Sequence, residues 1–141
     1  MSADEIPPEG LGGKVMGGCK LIRRLGNGAM GVVYLAEQLE LKRQVALKIL
    51  DPKFSADKSY IERFEMEAKA AAKLNHPNIV KVYDIGREDN AYFIINEYID
   101  GGSVQKLIEE RGALQPEDAL EYAIQAAKGL AAAAKADIVH R

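Results

Sequence analysis

The chain has 141 residues, 48% of them hydrophobic and 28% charged, with a net charge of −2. That balance supports about one folded globular domain and argues against disorder, and it offers no electrostatic reason to expect nucleic acid or an anionic membrane as partner. A single cysteine, Cys19, excludes an internal disulfide and fits a reducing compartment, so a cytoplasmic location is expected. The start, Met1-Ser-Ala-Asp-Glu5, is acidic and does not read as a secretory signal, and no apolar run is long enough to span a bilayer.

Residues 1–18 read as a flexible tail, because Pro7-Pro8, Gly10, Gly12-Gly13 and Gly17-Gly18 break any regular pattern. Strands follow. Leu21, Arg23 and Leu25 alternate with Lys20, Ile22 and Arg24, and Val32 to Ala36 is rich in β-formers. Gln44 to Leu50 places Val45, Leu47 and Ile49 on one face and Ala46 and Lys48 on the other. Asp51-Pro52 ends that strand. Ser59-Tyr-Ile-Glu62 matches a capping box for a helix running to about Leu74, which Asn75-His-Pro-Asn78 stops. Ile79–Ile85 and Ala91–Glu97 are two more expected strands, joined by a hairpin-like loop over Gly86–Asn90. Beyond Gly101-Gly102 the pattern turns helical. A short helix over Val104–Arg111 ends at Gly112, and a long one starts at Pro116 with Glu117 and Asp118 at its positive end. The order predicts an α+β region followed by the start of an all-α one.

Three motifs carry chemistry. Gly26, Gly28, Gly31 and Val33 fit G-x-G-x-x-G-x-V, in which glycines let backbone N–H groups approach phosphate oxygens; any glycine-rich hairpin also fits. The loop leads into a strand rather than a helix, which disfavours a dinucleotide-binding unit, and no Walker motif is present. Lys48 interrupts an apolar strand. Either it points to solvent, or it reaches a ligand's phosphates from beside the small Ala46. Glu67 lies on the apolar side of its helix, and periodicity alone leaves it either paired with Arg63 on the surface or turned inward to meet Lys48.

The ordered set of glycine hairpin, strand lysine, helix glutamate, His76-Pro77-Asn78-Ile79-Val80 and a closing Ile138-Val-His140-Arg141 resembles a protein kinase, most closely the bacterial eukaryotic-like (Hanks-type) Ser/Thr kinases. The resemblance covers Cys19 to Arg141. It implies a kinase N-lobe over 19–96, built from a five-stranded antiparallel sheet plus one helix. A hinge over 97–102 and the start of an α-helical C-lobe over 103–141, truncated, would follow. It implies ATP as ligand, with Gly26, Asn27, Gly28, Ala29, Met30 and Gly31 in the loop over the phosphates. Lys48 would bind the α- and β-phosphates and Glu67 would hold Lys48. Leu25, Val33, Ala46 and Val80 would wall the adenine site, and the backbone of Glu97 and Ile99 would bond the adenine edge.

The same resemblance puts Asn96 at the gatekeeper position, where it needs hydrogen-bond partners, and Ser103 near the ribose, although Ser103 is better read as a helix N-cap. His140 and Arg141 match the first two residues of the H-R-D catalytic loop; His76 reads as a turn histidine. The catalytic Asp, the metal-binding Asn and the D-F-G motif are not among the 141 residues, so Mg2+ belongs to the complete domain, no metal ligand is assigned here, and the chain alone is expected to be inactive. The complete domain would transfer the ATP γ-phosphoryl group to a protein Ser/Thr hydroxyl. The alternative is a nucleotide-binding, pseudokinase-like regulatory or docking module.

Overall fold

A computed structural model describes residues 12–28 and 31–139. Strands β1 (Val15–Met16), β2 (Cys19–Gly28), β3 (Gly31–Gln38) and β4 (Arg43–Leu50) come first. They are followed by α1 (Pro52–Ser55), α2 (Lys58–Ala72), β5 (Val82–Glu88), β6 (Ala91–Glu97), α3 (Val104–Arg111) and α4 (Pro116–Lys135). The six strands form one sheet in the order β1-β2-β3-β4-β6-β5, and every neighbouring pair is antiparallel. The five expected strands are all present. The sixth is β1, whose Val15 and Met16 fall in the segment read as tail and pair with Lys20 and Cys19.

Alternation sorts the side chains onto two faces, as expected for β4. Val45 and Leu47 join Cys19, Leu21, Tyr34, Phe93 and Ile95 in one buried cluster. On the opposite face Leu50 and Tyr92 meet Phe64 of α2, with Ile94 and Ile61 packed alongside. The helix therefore covers the face that carries Ala46 and Lys48. The sheet is also curled. The Gly17 N–H donates to Glu88 Oε2 at 2.7 Å across 71 residues of sequence, drawing the β1 end of the sheet to the far end of β5. The Phe93 ring lies so close to Gly17 and Gly86 that a Cβ at either would overlap it. Two glycines on opposite sheet edges thus give one aromatic ring its place in the core.

Several boundaries differ from the sequence reading, for local reasons. Asp57, not Ser59, caps α2; its carboxylate accepts from the Ser59 and Tyr60 N–H groups, and the Ser59 hydroxyl donates to it. Asp51 caps the short α1, a turn that the sequence reading did not contain. Ile79 sits in a turn closed by its N–H on the His76 carbonyl, and strand pairing starts at Val82. The β5–β6 turn is only Asp89-Asn90, both at positive φ, because a two-residue hairpin with that twist needs left-handed residues. Ser103 caps α3 through Lys106 N–H, and Gly112 closes it at φ 81°. Ile138, read as the start of a strand, ends a Schellman closure of α4: its N–H reaches the Ala133 carbonyl with Asp137 at φ 58°.

The hydrogen bonds that Asp57 accepts from Ser59 and Tyr60 hold its carboxyl below the ordinary value of 3.8. A depressed carboxylate adds stability that is present at neutral pH and lost as pH falls through its folded value. Asp57→Ala is expected to lower the thermal midpoint at pH 7, and that deficit should vanish in scans well below pH 3.8. A deficit that persists unchanged in acid would contradict the cap.

Candidate functional site

The glycine hairpin joins β2 to β3 with Gly28 and Gly31 facing each other. Ala29 and Met30 themselves lie outside the described residues, as do His140 and Arg141. The two flanking glycines have different reasons to be glycine. A Cβ at Gly31 would overlap the Ile49 carbonyl oxygen, so the hairpin backbone lies directly on β4. At Gly28 a Cβ would stand 3.5 Å from Lys48 Cε and Nζ, an ordinary contact distance. The Lys48 amine therefore lies under the first half of the hairpin.

Register explains how the lysine comes to be there. Lys48 is the β4 partner of Val33, and Val33 pairs in turn with Gly26 on β2. Directly opposite residues in an antiparallel pair share a face, so Gly26, Val33 and Lys48 line up across three strands. Ala46, two residues earlier on β4, is opposite Leu35 on one side and Asn96 on the other. Ile94 is the β6 partner of Lys48. Leu35 and Ile94 complete this surface and were not singled out from sequence; their signal was the register, which alternation alone does not supply.

Leu25 sits at a register skip between Arg24 and Gly26, and it is half-buried. A bulge there re-aims one side chain and lets β2 bend over the sheet. Asn27 is exposed beside the tip and its Oδ1 accepts from the Arg24 guanidinium. Val33, Ala46 and Asn96 are half-buried. At the far end of the surface, Glu97 closes β6: its N–H donates to the Lys81 carbonyl at 2.8 Å, and its Oε2 accepts the Lys81 N–H at 3.1 Å. Val80 and Ile99, on either side of that junction, are 50% and 53% exposed. An apolar strip thus runs from the lysine to an open edge.

Glu67 stands on α2 three residues after the buried Phe64 and one before the buried Ala68, at the margin of the helix's packed stripe, and it is exposed. His76 is the turn residue expected of it: its Nδ1 accepts the Asn78 N–H at 3.1 Å. Burial pushes the Cys19 thiol up from 9.0, so it is a protonated core group rather than a nucleophile. Among the described residues no group of His, Cys, Asp or Glu could hold a metal ion, and no helix is long and apolar enough to cross a membrane.

Comparison with known proteins agrees with this geometry. A family model described as protein kinase domain matches residues 19–141. Serine/threonine-protein kinase PrkC of Bacillus subtilis is 41% identical over 131 residues, which cover 93% of this chain and 20% of the relative. Probable serine/threonine-protein kinase CPE1738 of Clostridium perfringens is 40% identical over 130 residues, covering 92% and 19%. The crystal structure of the Mycobacterium tuberculosis PknI kinase domain superposes with a TM-score of 0.78 at 33% identity, over 92% of this chain and 53% of that one. The chain therefore spans about a fifth of these curated relatives and about half of that kinase-domain structure.

The two hairpin glycines should respond differently to alanine. Gly31→Ala forces β3 away from the Ile49 carbonyl and is expected to cost about 2 kcal/mol or more. Gly28→Ala meets the end of Lys48 and the Gly31 carbonyl oxygen at ordinary contact distances and should cost about 1 kcal/mol or less. Urea unfolding midpoints of the two variants provide the check; equal losses would mean that the hairpin does not rest on β4 as described.

Proposed function

Since the chain belongs to the protein kinase family, with Ser/Thr kinases among its relatives, we propose that its sheet and hairpin form the ATP-binding half of a Ser/Thr protein kinase. The observation that carries the reading is the Lys48 amine lying against Gly28, in a hairpin whose other flank rests on β4 through Gly31. A lysine held under a backbone loop has a cation and amide donors on two sides of one space, which suits a polyphosphate. Gly28 suits this use because a larger side chain would occupy the space beside the amine.

In this proposal the backbone of residues 26–31 covers the phosphates, and the Lys48 ammonium neutralises charge on the α- and β-oxygens. Glu67 of α2 sets the position of that lysine from the same face of the sheet. Leu25, Val33, Ala46 and Val80 flank a flat purine, and the Glu97 carbonyl and Ile99 N–H bond its edge. Asn96 stands opposite Ala46, one residue before Glu97. The fit to ATP rests on this chemistry: a half-buried apolar strip, an open backbone edge and a cation at the end away from that edge. Mg2+ would neutralise phosphate charge in the complete domain, held by residues outside these 141. The barrier to phosphoryl transfer is lowered by positioning and preorganised charge rather than by a covalent step.

Two outcomes test the reading. Lys48→Met should weaken binding of ATP by about ten-fold or more, the loss of a charge-assisted contact, measured by calorimetry or by displacement of a fluorescent analogue. An unchanged affinity would remove Lys48 from the site. The 141-residue polypeptide alone should incorporate no phosphate into a generic protein substrate with Mg-ATP, because no H-R-D aspartate or D-F-G segment is among its residues. Incorporation that Lys48→Met abolishes would show that the residues present suffice.

A further inference from the structure

A groove of about 500 Å³ lies between the turn after α2 and one side of α4. Its two walls meet in a close backbone contact, since a Cβ at the buried Gly129 would stand 2.7 Å from the Asn78 carbonyl oxygen. The turn is held in shape by the Asn78 N–H on His76 Nδ1 and by the Ile79 N–H on the His76 carbonyl. The groove is therefore already formed, and an occupant does not have to order it.

Its charge is of one sign. The two stretches that contribute to it, residues 68–83 and 122–135, contain no Asp or Glu, although the whole chain has 21 acidic residues against 19 Lys and Arg. Lys128 and Lys135 line it together with His76, whose Nδ1 is occupied and whose Nε2–H is left as a donor. Three and four residues from Lys128 are Ile124, Gln125, Ala131 and Ala132, so no neighbour along the helix neutralises it. Neither lysine is ion-paired among the described residues. Lys135 suits the negative end of α4, a use open to any lysine in a last turn; Lys128, two turns earlier, has no such use. Leu74, Ala131 and Ala132 give the groove an apolar lining.

We propose that this groove docks an acidic peptide segment of another protein, one that carries two carboxylates with an apolar side chain between them. Charge complementarity selects the occupant: two unpaired lysines and a ring N–H donor, with no carboxylate lining the groove, attract an anionic chain and repel a basic one. A polyphosphate would meet the lysines but leave Leu74 and the two alanines uncovered, which favours a peptide with an apolar residue to place there.

The lysines also set the spacing that such a segment needs. Seven residues apart on α4, they stand about 10 Å apart along the helix axis. An extended polyproline-type peptide repeats every three residues over about 9 Å, so carboxylates at positions i and i+3 face one way at close to that separation. None of the groove residues belongs to the surface around Lys48, so docking here needs no nucleotide.

The test titrates the whole 141-residue chain against a fluorescein-labelled peptide, Ala-Ala-Glu-Leu-Pro-Glu-Ala-Ala, and follows anisotropy. Saturable binding is expected, weakened about five-fold or more when both peptide glutamates become glutamine, and about three-fold when its leucine becomes serine. It should also fall sharply at about 1 M salt, where screening shortens to about 3 Å. These arms use the unaltered chain, so they decide the matter even if a variant fails to fold. Lys128→Glu combined with Lys135→Glu, two exposed positions, should abolish binding of the acidic peptide and accept one with lysines in place of its glutamates. Absence of saturable binding would overturn the proposal, as would equal affinity for the glutamine peptide, or failure of the charge exchange in a variant that keeps its helical circular dichroism. Displacement by inorganic tripolyphosphate, with no effect of the leucine change, would overturn it in favour of a polyanion site.

Discussion

The contact on which the site depends is the approach of Gly31 to the Ile49 carbonyl. Because no Cβ separates them, β3 can lie close enough to β4 for Gly31 to pair with Leu50 and Val33 with Lys48. The lysine amine then falls under Gly28 rather than into solvent. Moving that junction by one residue would exchange the two faces of β3, because side chains alternate with a period of two. The apolar strip and the cation would no longer share a surface.

Two other glycines act at the level of the whole sheet. Gly17 and Gly86 belong to segments 69 residues apart in sequence, yet both lie against the Phe93 ring. Their lack of a side chain makes room for an aromatic group where the edges of the sheet converge, and the Gly17–Glu88 hydrogen bond ties those edges. The result is a curled sheet with one face sealed by its own curvature and the other left for α2 and the lysine. Burying Tyr34, Leu47 and Ile95 on the sealed face supplies the apolar area that stabilises the curl.

The helical part contrasts with this. α4 buries only Gly129 among its described residues, while Leu120 and Leu130 are 62% and 54% exposed. Its helical form comes from local sources: Pro116 in the first turn, acidic residues at the N-terminus, a run of alanines and a Schellman closure. A close backbone contact, Gly129 against the Asn78 carbonyl, joins it to the turn after α2. That turn is held by Pro77, by the His76 imidazole on Asn78 N–H and by Ile79 N–H on the His76 carbonyl.

Much of this was legible in the residue order. Alternation assigned Lys48 and Ala46 to one face and Val45 and Leu47 to the other, and the structure places them so. Ser103 and Gly112 marked both ends of α3 through local chemistry that needs no tertiary partner. The strand at Val15–Met16 was not legible, because two residues carry no periodicity and their pairing with Cys19 and Lys20 depends on a turn of two glycines at positive φ. The cap of α2 was misplaced by two residues because Asp57 and Ser59 are both good capping types, and only the backbone path decides which oxygen reaches the free N–H groups. The sequence by itself determined the order of the elements, the faces of the strands and the family to which the ordered motifs belong. These depend on local periodicity and on residue types at fixed spacing, which a linear chain already contains. Tertiary structure alone decided that β6 inserts between β4 and β5, and that Ile94 and Leu35 join the lysine's surface. It also decided that Gly17, Gly86 and Gly129 are required by close approach to distant parts of the chain. Those outcomes depend on contacts between residues far apart in sequence, and such contacts exist only once the sheet has curled.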